Sequence, residues 1–422
     1  MADAFLPFED LLDTVRRREF DRPPAFVANA HVTGLSVARA LADRDVPVIA
    51  LDRADNADEA SAARASAAHS GAAPPSDAVV AAGAVTYPLD DADGFRADVE
   101  RLAAVTDHDP VAFGCMDEWA LAFAEENPDG VRLPFAEGVI DSVLDKYELY
   151  RRAERLDVPY PETYFLDETD PAEAAAALGF PLVVKPARKR RFEEVVGTNV
   201  LEVADEAEFM DAVEQAEAAG VRIMAQEKVT RATGEDHSFA SYVPPEGDPV
   251  GVVGNARVRY PVGYGTSCVV DRVDEPVVRE RAERMLTDAG YHGISESEFV
   301  YDADREEFVL LDINTRPWKW IGMPVAAGVN LPMAAYADAV GADIEHAAPR
   351  DTRWVFLPDY LRLNFEDPTF DDVLSASEWA ALLAGDFESD SLTTGVYRPS
   401  DPAPAYALLE TEFAEREYYC AC

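Results

Sequence analysis

The chain has 422 residues, with 81 Asp and Glu against 37 Lys and Arg, a formal net charge of −44. That size predicts two or three packed units, and that charge excludes nucleic acid and anionic membranes as partners. Four scattered cysteines, no apolar run near the roughly 18 residues that cross a bilayer, and an acidic, mixed N-terminus lead to the expectation of a cytoplasmic protein without disulfides.

The acids are spread along a chain that is 48% hydrophobic, so an acidic surface adapted to molar salt, as in extreme halophiles, explains them better than disorder. At molar salt the Debye length falls to about 3 Å and screens the self-repulsion of the surface. Dialysis into dilute buffer is expected to loosen the fold; an unchanged circular dichroism spectrum and melting point would remove this reading.

Ala25–Ala30, Gly34–Leu41 and Val46–Leu51 read as strand, helix and strand, a βαβ unit with a parallel sheet, and Val111–Met116 offers a further strand. The first turn, residues 29–34, has one glycine where a dinucleotide fingerprint has three, although Asp52 closes the second strand where a ribose-binding acid would sit. The missing glycines favour a plain Rossmann-like layer over a nicotinamide-dependent oxidoreductase. Residues 53–77, rich in Ala, Ser and Asp, read as a surface connection.

Near Pro134 the pattern changes, and the main domain boundary is expected there. A helix carrying Lys146, Tyr147 and Leu149 leads to Pro159 and Pro161, then to a helix over Glu173–Leu178 and the strand Pro181–Pro186. Residues 180–228 alternate strand, loop, strand, helix and strand, the size of a lid. Strand-rich sequence runs on to Arg316, a helix is expected over Pro332–Val340, and a C-terminal extension carries the pair Cys420 and Cys422, where a soft metal and a plain tail both remain open.

Gly293–Asp302 and Glu307–Arg316, joined by a polar turn, read as a β-hairpin. Period-two alternation puts Asp312, Asn314 and Arg316 on one face and Leu311 and Ile313 on the other, toward the core. A register pairing 298 with 312 sets Glu298 beside Asp312. Carboxylates so close raise one another's pKa or require a cation, and magnesium, held with an amide oxygen and substrate phosphates, is a natural partner. An exposed acidic hairpin is the plain alternative, against which Asn314 in a strand interior argues.

Glu298 followed by Leu311-Asp-Ile-Asn-Thr-Arg316 resembles the magnesium-binding end of the ATP-grasp superfamily, and Pro181-Leu-Val-Val-Lys185-Pro186 resembles its nucleotide-binding lysine strand. Ala225-Gln-Glu227-Lys-Val229, followed by Gly234-Glu235-Asp236, resembles the hinge where adenine binds. The resemblance spans roughly 136–345 and is loosely that of D-aspartate-ligase-like carboxylate–amine ligases, helped by Pro317-Trp-Lys-Trp320. It implies an α/β architecture: a Rossmann-like pre-ATP-grasp domain over 1–135, an ATP-grasp domain over 136–345 with a lid at about 155–228, and an extension over 346–422 packed on it.

The same resemblance implies ATP and Mg2+ (or Mn2+) as cofactors, gripped by Lys146 and Lys185 at the phosphates, Glu227 and Val229 around the adenine, and Glu235 at the ribose. Glu235 reads equally as a solvated loop acid. Glu298, Asp312 and Asn314 would hold the metal, and Arg316 and Arg257 would stabilise the oxyanion. The basic run Arg188–Arg191 lies where a lid loop closes over phosphates; with only Gly197-Thr198 left of the usual glycines, a cationic lid for an anionic co-substrate is an alternative. The expected reaction joins a small-molecule carboxylate to an amine through an acyl phosphate, in a chain that could form a homodimer; the rival is a non-catalytic ATP-binding sensor or scaffold.

Overall fold

Four short apolar strands near the N-terminus, β1 (Ala25–Ala28), β2 (Val48–Arg53), β3 (Ala81–Val85) and β4 (Val111–Gly114), pair in parallel in the order β3-β2-β1-β4. The strands are buried almost throughout, as parallel strands covered on both faces are. The structure is a computed structural model that describes residues 5–53, 72–188, 200–263, 265–367, 370, 372–387 and 391–413. Most of the connection expected at 53–77, Lys189, Arg190 and Arg191 of the basic run, Gly197, Thr198 and the Cys420–Cys422 pair lie outside the described residues.

The turn after β1 runs through Asn29 at φ 70°, and a Cβ on Gly34 would stand 2.2 Å from the Asn29 carbonyl oxygen. That close approach requires the glycine. Asp52 is occupied locally: one carboxylate oxygen accepts from Ala30 N–H at 2.8 Å, the other from Arg53 N–H at 2.8 Å. It fastens the turn, as a plain layer needs.

A second sheet holds β5 (Thr163–Phe165), β6 (Leu182–Pro186), β7 (Leu201–Val203) and β8 (Ile223–Glu227) in the antiparallel order β5-β8-β6-β7. Helices Pro171–Leu178 and Glu206–Ala219 close it with a small core of Ala174, Leu182, Val184 and Phe209. The longer helix starts where the Asp205 carboxylate accepts from Ala207 and Glu208 N–H and stops at left-handed Gly220.

The largest sheet has the order β13-β12-β9-β10-β11-β14-β15, from β9 (Arg231–Val243), β10 (Val250–Tyr260), β11 (Thr266–Val273), β12 (Gly293–Asp302), β13 (Glu307–Asn314), β14 (Arg353–Val355) and β15 (Leu392–Thr394). The C-terminal residues thus extend the sheet: β14 pairs antiparallel with β11, and β15 pairs parallel with β14. One apolar core runs from Val27 and Leu35 through Trp320 and Met323 to Trp354 and Tyr360, joining the first sheet to the largest.

The C-terminal segment also clasps the first layer. Asp401 accepts from Arg39 Nε at 2.9 Å, Ser76 Oγ at 2.5 Å and Asp77 N–H at 3.1 Å, while Arg39 donates to the Val396 carbonyl at 2.8 Å. Burial alone would raise the Asp401 carboxyl, but these donors hold it below its ordinary pKa. Asp401→Ala strands the buried Arg39 cation and is expected to cost about 3–5 kcal/mol in denaturant unfolding; a loss under about 1 kcal/mol would contradict the clasp. The wild-type contribution is present above the ordinary carboxylate range and is lost as pH falls through the depressed pKa.

Candidate active site

The hairpin of β12 and β13 has the register Glu298↔Asp312 and Glu296↔Asn314. Asn314 Nδ2 donates to Glu298 at 2.8 Å and to Glu296 at 3.1 Å. Buried Glu296 is pushed above the ordinary carboxylate range, by burial first and by the neighbouring Glu298 next. The next pair along is Phe299↔Leu310, which makes Leu311 the extra residue of a β-bulge. Leu311 therefore lines the cavity described below, contrary to the expectation that it enters the core, whereas Ile313 is in the core.

A cavity of about 210 Å³ opens between this hairpin, the second sheet and the first layer. It brings together Lys146, Lys185, Glu298, Asp312, Asn314 and Arg316 of the expected set. Lys146 begins the helix Lys146–Arg155, whose preceding Asp145 caps it by accepting from Tyr147 and Glu148 N–H. Its ammonium lies 2.5 Å from Asp312 Oδ1. Lys185, on β6, is 7% exposed and makes no ion pair among the described residues; burial, and then the nearby charge of Lys146, pushes it down to about 7.

Arg257 does not reach the cavity. In β10 the register passes from Ala256↔Val270 to Val258↔Val269, and the bulge turns Arg257 out to solvent. Arg259 lines the cavity instead, bonded to Asp236 at 2.7 Å and lying 3.9 Å from Glu298. Arg316 is held by Asp117 at 2.5 Å, at the start of the helix Asp117–Glu126 that follows β4. Lys319, also in the lining, lies 2.5 Å from Asp359, 2.9 Å from Thr266 Oγ1 and over the Phe356 ring at 4.0 Å.

Sequence reasoning missed Arg259, Asp117 and Lys319. The signal for Asp117 was its place just after a parallel strand; strand alternation gives none for a bulge. The lining carries six cationic side chains (Lys146, Lys185, Arg231, Arg259, Arg316, Lys319) against three acids (Glu296, Glu298, Asp312), the reverse of the balance in the whole chain. Such a site concentrates anions.

Glu227 ends β8, Val229 lies on the connection and Glu235 is in β9; none of them lines this cavity. The Glu227 carboxylate accepts from Glu162 N–H at 2.6 Å and pairs with Arg305 at 2.6 Å, tying the connection to its neighbours. Glu235 approaches His237 Nε2 at 3.3 Å, but without hydrogen-bond alignment. Burial, then Arg257, pushes His237 down to about 4, so the contact is not an ion pair near neutral pH.

Among the described residues no group of three or more His, Cys, Asp and Glu forms a ready metal cage. Glu298 and Asp312, paired across the hairpin beside the Asn314 amide, nevertheless fit a hard cation that completes its shell with phosphate oxygens and water.

No protein-family profile and no curated protein sequence matches the chain. Its fold is similar to that of an N5-carboxyaminoimidazole synthetase from Staphylococcus aureus, with 12% identity, 83% of this chain and 87% of that one covered, and a TM-score of 0.59. A biotin carboxylase from Campylobacter jejuni in complex with β,γ-ATP is similar at 13% identity over 79% of this chain and 75% of that one, TM-score 0.59. An N5-carboxyaminoimidazole synthase from Aspergillus clavatus, in complex with ADP and 5-aminoimidazole ribonucleotide, is similar at 15% identity over 86% of each chain, TM-score 0.55. At such identities the likeness is one of architecture, and the architecture of this chain is the α/β ATP-grasp fold.

Proposed function

We propose that the chain is an ATP-dependent carboxylate–amine ligase. The observation that carries this reading is the convergence, on one cavity, of Lys146 and Lys185, the cluster of Glu298, Asp312 and Asn314, and the guanidinium groups of Arg259 and Arg316. Lys146 and Lys185 grip the nucleotide phosphates, and the stretch from the end of β8 into β9, with Glu227, Val229 and Glu235, borders the adenosine through its backbone groups. Glu298, Asp312 and Asn314 would hold magnesium or manganese, which would supply positive charge to offset that of the nucleotide phosphates.

A carboxylate oxygen of the acid attacks the γ-phosphorus, the bond to the bridging oxygen breaks, and ADP leaves an acyl phosphate. The amine then attacks the acyl carbon, Arg316 and Arg259 stabilise the oxyanion, and phosphate departs as the amine gives up a proton. Residues 155–228 act as the lid that keeps water from the acyl phosphate, within a domain spanning 136–345. We place the reaction in the cytoplasm, in a homodimer.

ADP release from MgATP in high-KCl buffer, across pooled small acids and amines, tests the proposal. Release that depends on particular pools and vanishes in Asp312→Asn supports it. Nucleotide binding with no pool-stimulated release is the outcome of either a missing substrate or a non-catalytic chain, and it raises the non-catalytic ATP-binding sensor or scaffold to equal standing.

A further inference from the structure

The oxygen atoms assigned to the metal are engaged by the chain's own donors. The Lys146 ammonium, on a side chain only 5% exposed, lies 2.5 Å from Asp312 Oδ1, and the same oxygen accepts from Ile313 N–H at 3.0 Å. Glu298 accepts from Asn314 Nδ2 at 2.8 Å and has the Arg259 guanidinium 3.9 Å away. The Asn314 amide thus presents its nitrogen, rather than its oxygen, to the acids. A divalent cation entering this arrangement meets an ammonium at the position it needs, and like charges at such separation repel strongly in a buried site.

We propose that Lys146 is a positioning residue that excludes the divalent cation until a nucleotide phosphate draws its ammonium away from Asp312. The inference rests on the ligase reading and adds a rule of assembly to it: cation and nucleotide enter together. The geometry supplies the means. Lys146 sits at the first turn of its helix on a flexible four-carbon stem, and Lys185 faces the same cavity, so phosphates anchored by Lys185 lie within the compartment that Lys146 shares. Once the ammonium turns to phosphate, the Asp312 carboxylate is released to the cation. By reciprocity, whatever factor the nucleotide adds to cation affinity, the cation adds to nucleotide affinity.

The experiment uses Mn2+ as the probe, followed by electron paramagnetic resonance on the full chain in high KCl. Wild type, Lys146→Met and Lys146→Gln are titrated without nucleotide, after circular dichroism has established which variants fold. Each is compared with its Asp312→Asn counterpart, which reports background binding by the acidic surface. Nucleotide-free Mn2+ affinity is expected to rise at least tenfold in both Lys146 variants, and the gain is expected to disappear when Asp312 is also replaced. Lys146→Arg, which keeps the charge, is expected to bind Mn2+ as weakly as wild type.

Affinity within twofold of wild type in a folded Lys146→Met or Lys146→Gln chain overturns the proposal, as does a gain that survives Asp312→Asn. A parallel titration of wild type with Mn2+ and ADP separates the two readings. Absence of the ternary complex sinks the ligase assignment itself, whereas its formation without a Lys146-dependent gain sinks only the exclusion rule.

Discussion

Lys185→Met is expected to raise stability while it abolishes turnover. The wild-type ammonium is buried without an ion-pair partner among the described residues, and its pKa falls from 10.5 to about 7. At about 1.4 kcal/mol per unit, keeping it charged near neutrality costs a few kcal/mol. Because the folded pKa lies below the unfolded one, that cost is fully present below about pH 7 and is relieved as pH rises toward 10.5. Methionine fills a similar volume with no charge, so the variant should melt higher at pH 6 and lose the rise of wild-type stability between pH 7 and 10.

The same substitution removes the lysine that the proposed function places at the nucleotide phosphates. Metal-free ADP affinity is expected to drop by about a hundredfold and ADP release from MgATP by about a thousandfold. In wild type, nucleotide anions are expected to restore the proton on Lys185, so calorimetry at pH 8 in buffers of different ionisation enthalpy should register proton uptake, and affinity should fall as pH rises above 7. A variant that is both less stable and fully active would refute this account of the lysine.

Asp117→Asn should produce a different profile. Asp117 belongs to the first layer and holds Arg316 at 2.5 Å, where both side chains are largely buried. Removing its charge leaves a buried guanidinium with a weaker partner, at an expected cost of about 2–4 kcal/mol. Because Arg316 is assigned to the oxyanion rather than to the nucleotide, kcat should fall about a hundredfold while KM for ATP changes little. A rise in KM for ATP with unchanged kcat would move Arg316 to the nucleotide.

The hairpin register was legible in that pairing 298 with 312 sets Glu298 beside Asp312 on the face that carries Asn314, and that pairing is observed. Leu311 and Arg257 were misplaced for a common reason. Each is affected by a β-bulge, and an extra residue shifts the period of two without leaving a mark in residue type. Asp117 and Asp359 join the cavity residues across 199 and 40 positions, contacts that exist only once the sheets pack. Local pattern carries the strands and the lysines; the counter-ions that tune them come from topology.

The clasp between Arg39 and Asp401 has a consequence for how the protein is made. The two residues are 362 positions apart. At roughly 5–20 residues per second, translation takes about 20–70 s to cover that interval. During it, the first parallel sheet is out of the ribosome with Arg39 lacking its carboxylate and Ser76 lacking its acceptor. The first layer of the fold to be synthesised is therefore among the last to be completed, and a chain released before residue 401 leaves it unfinished.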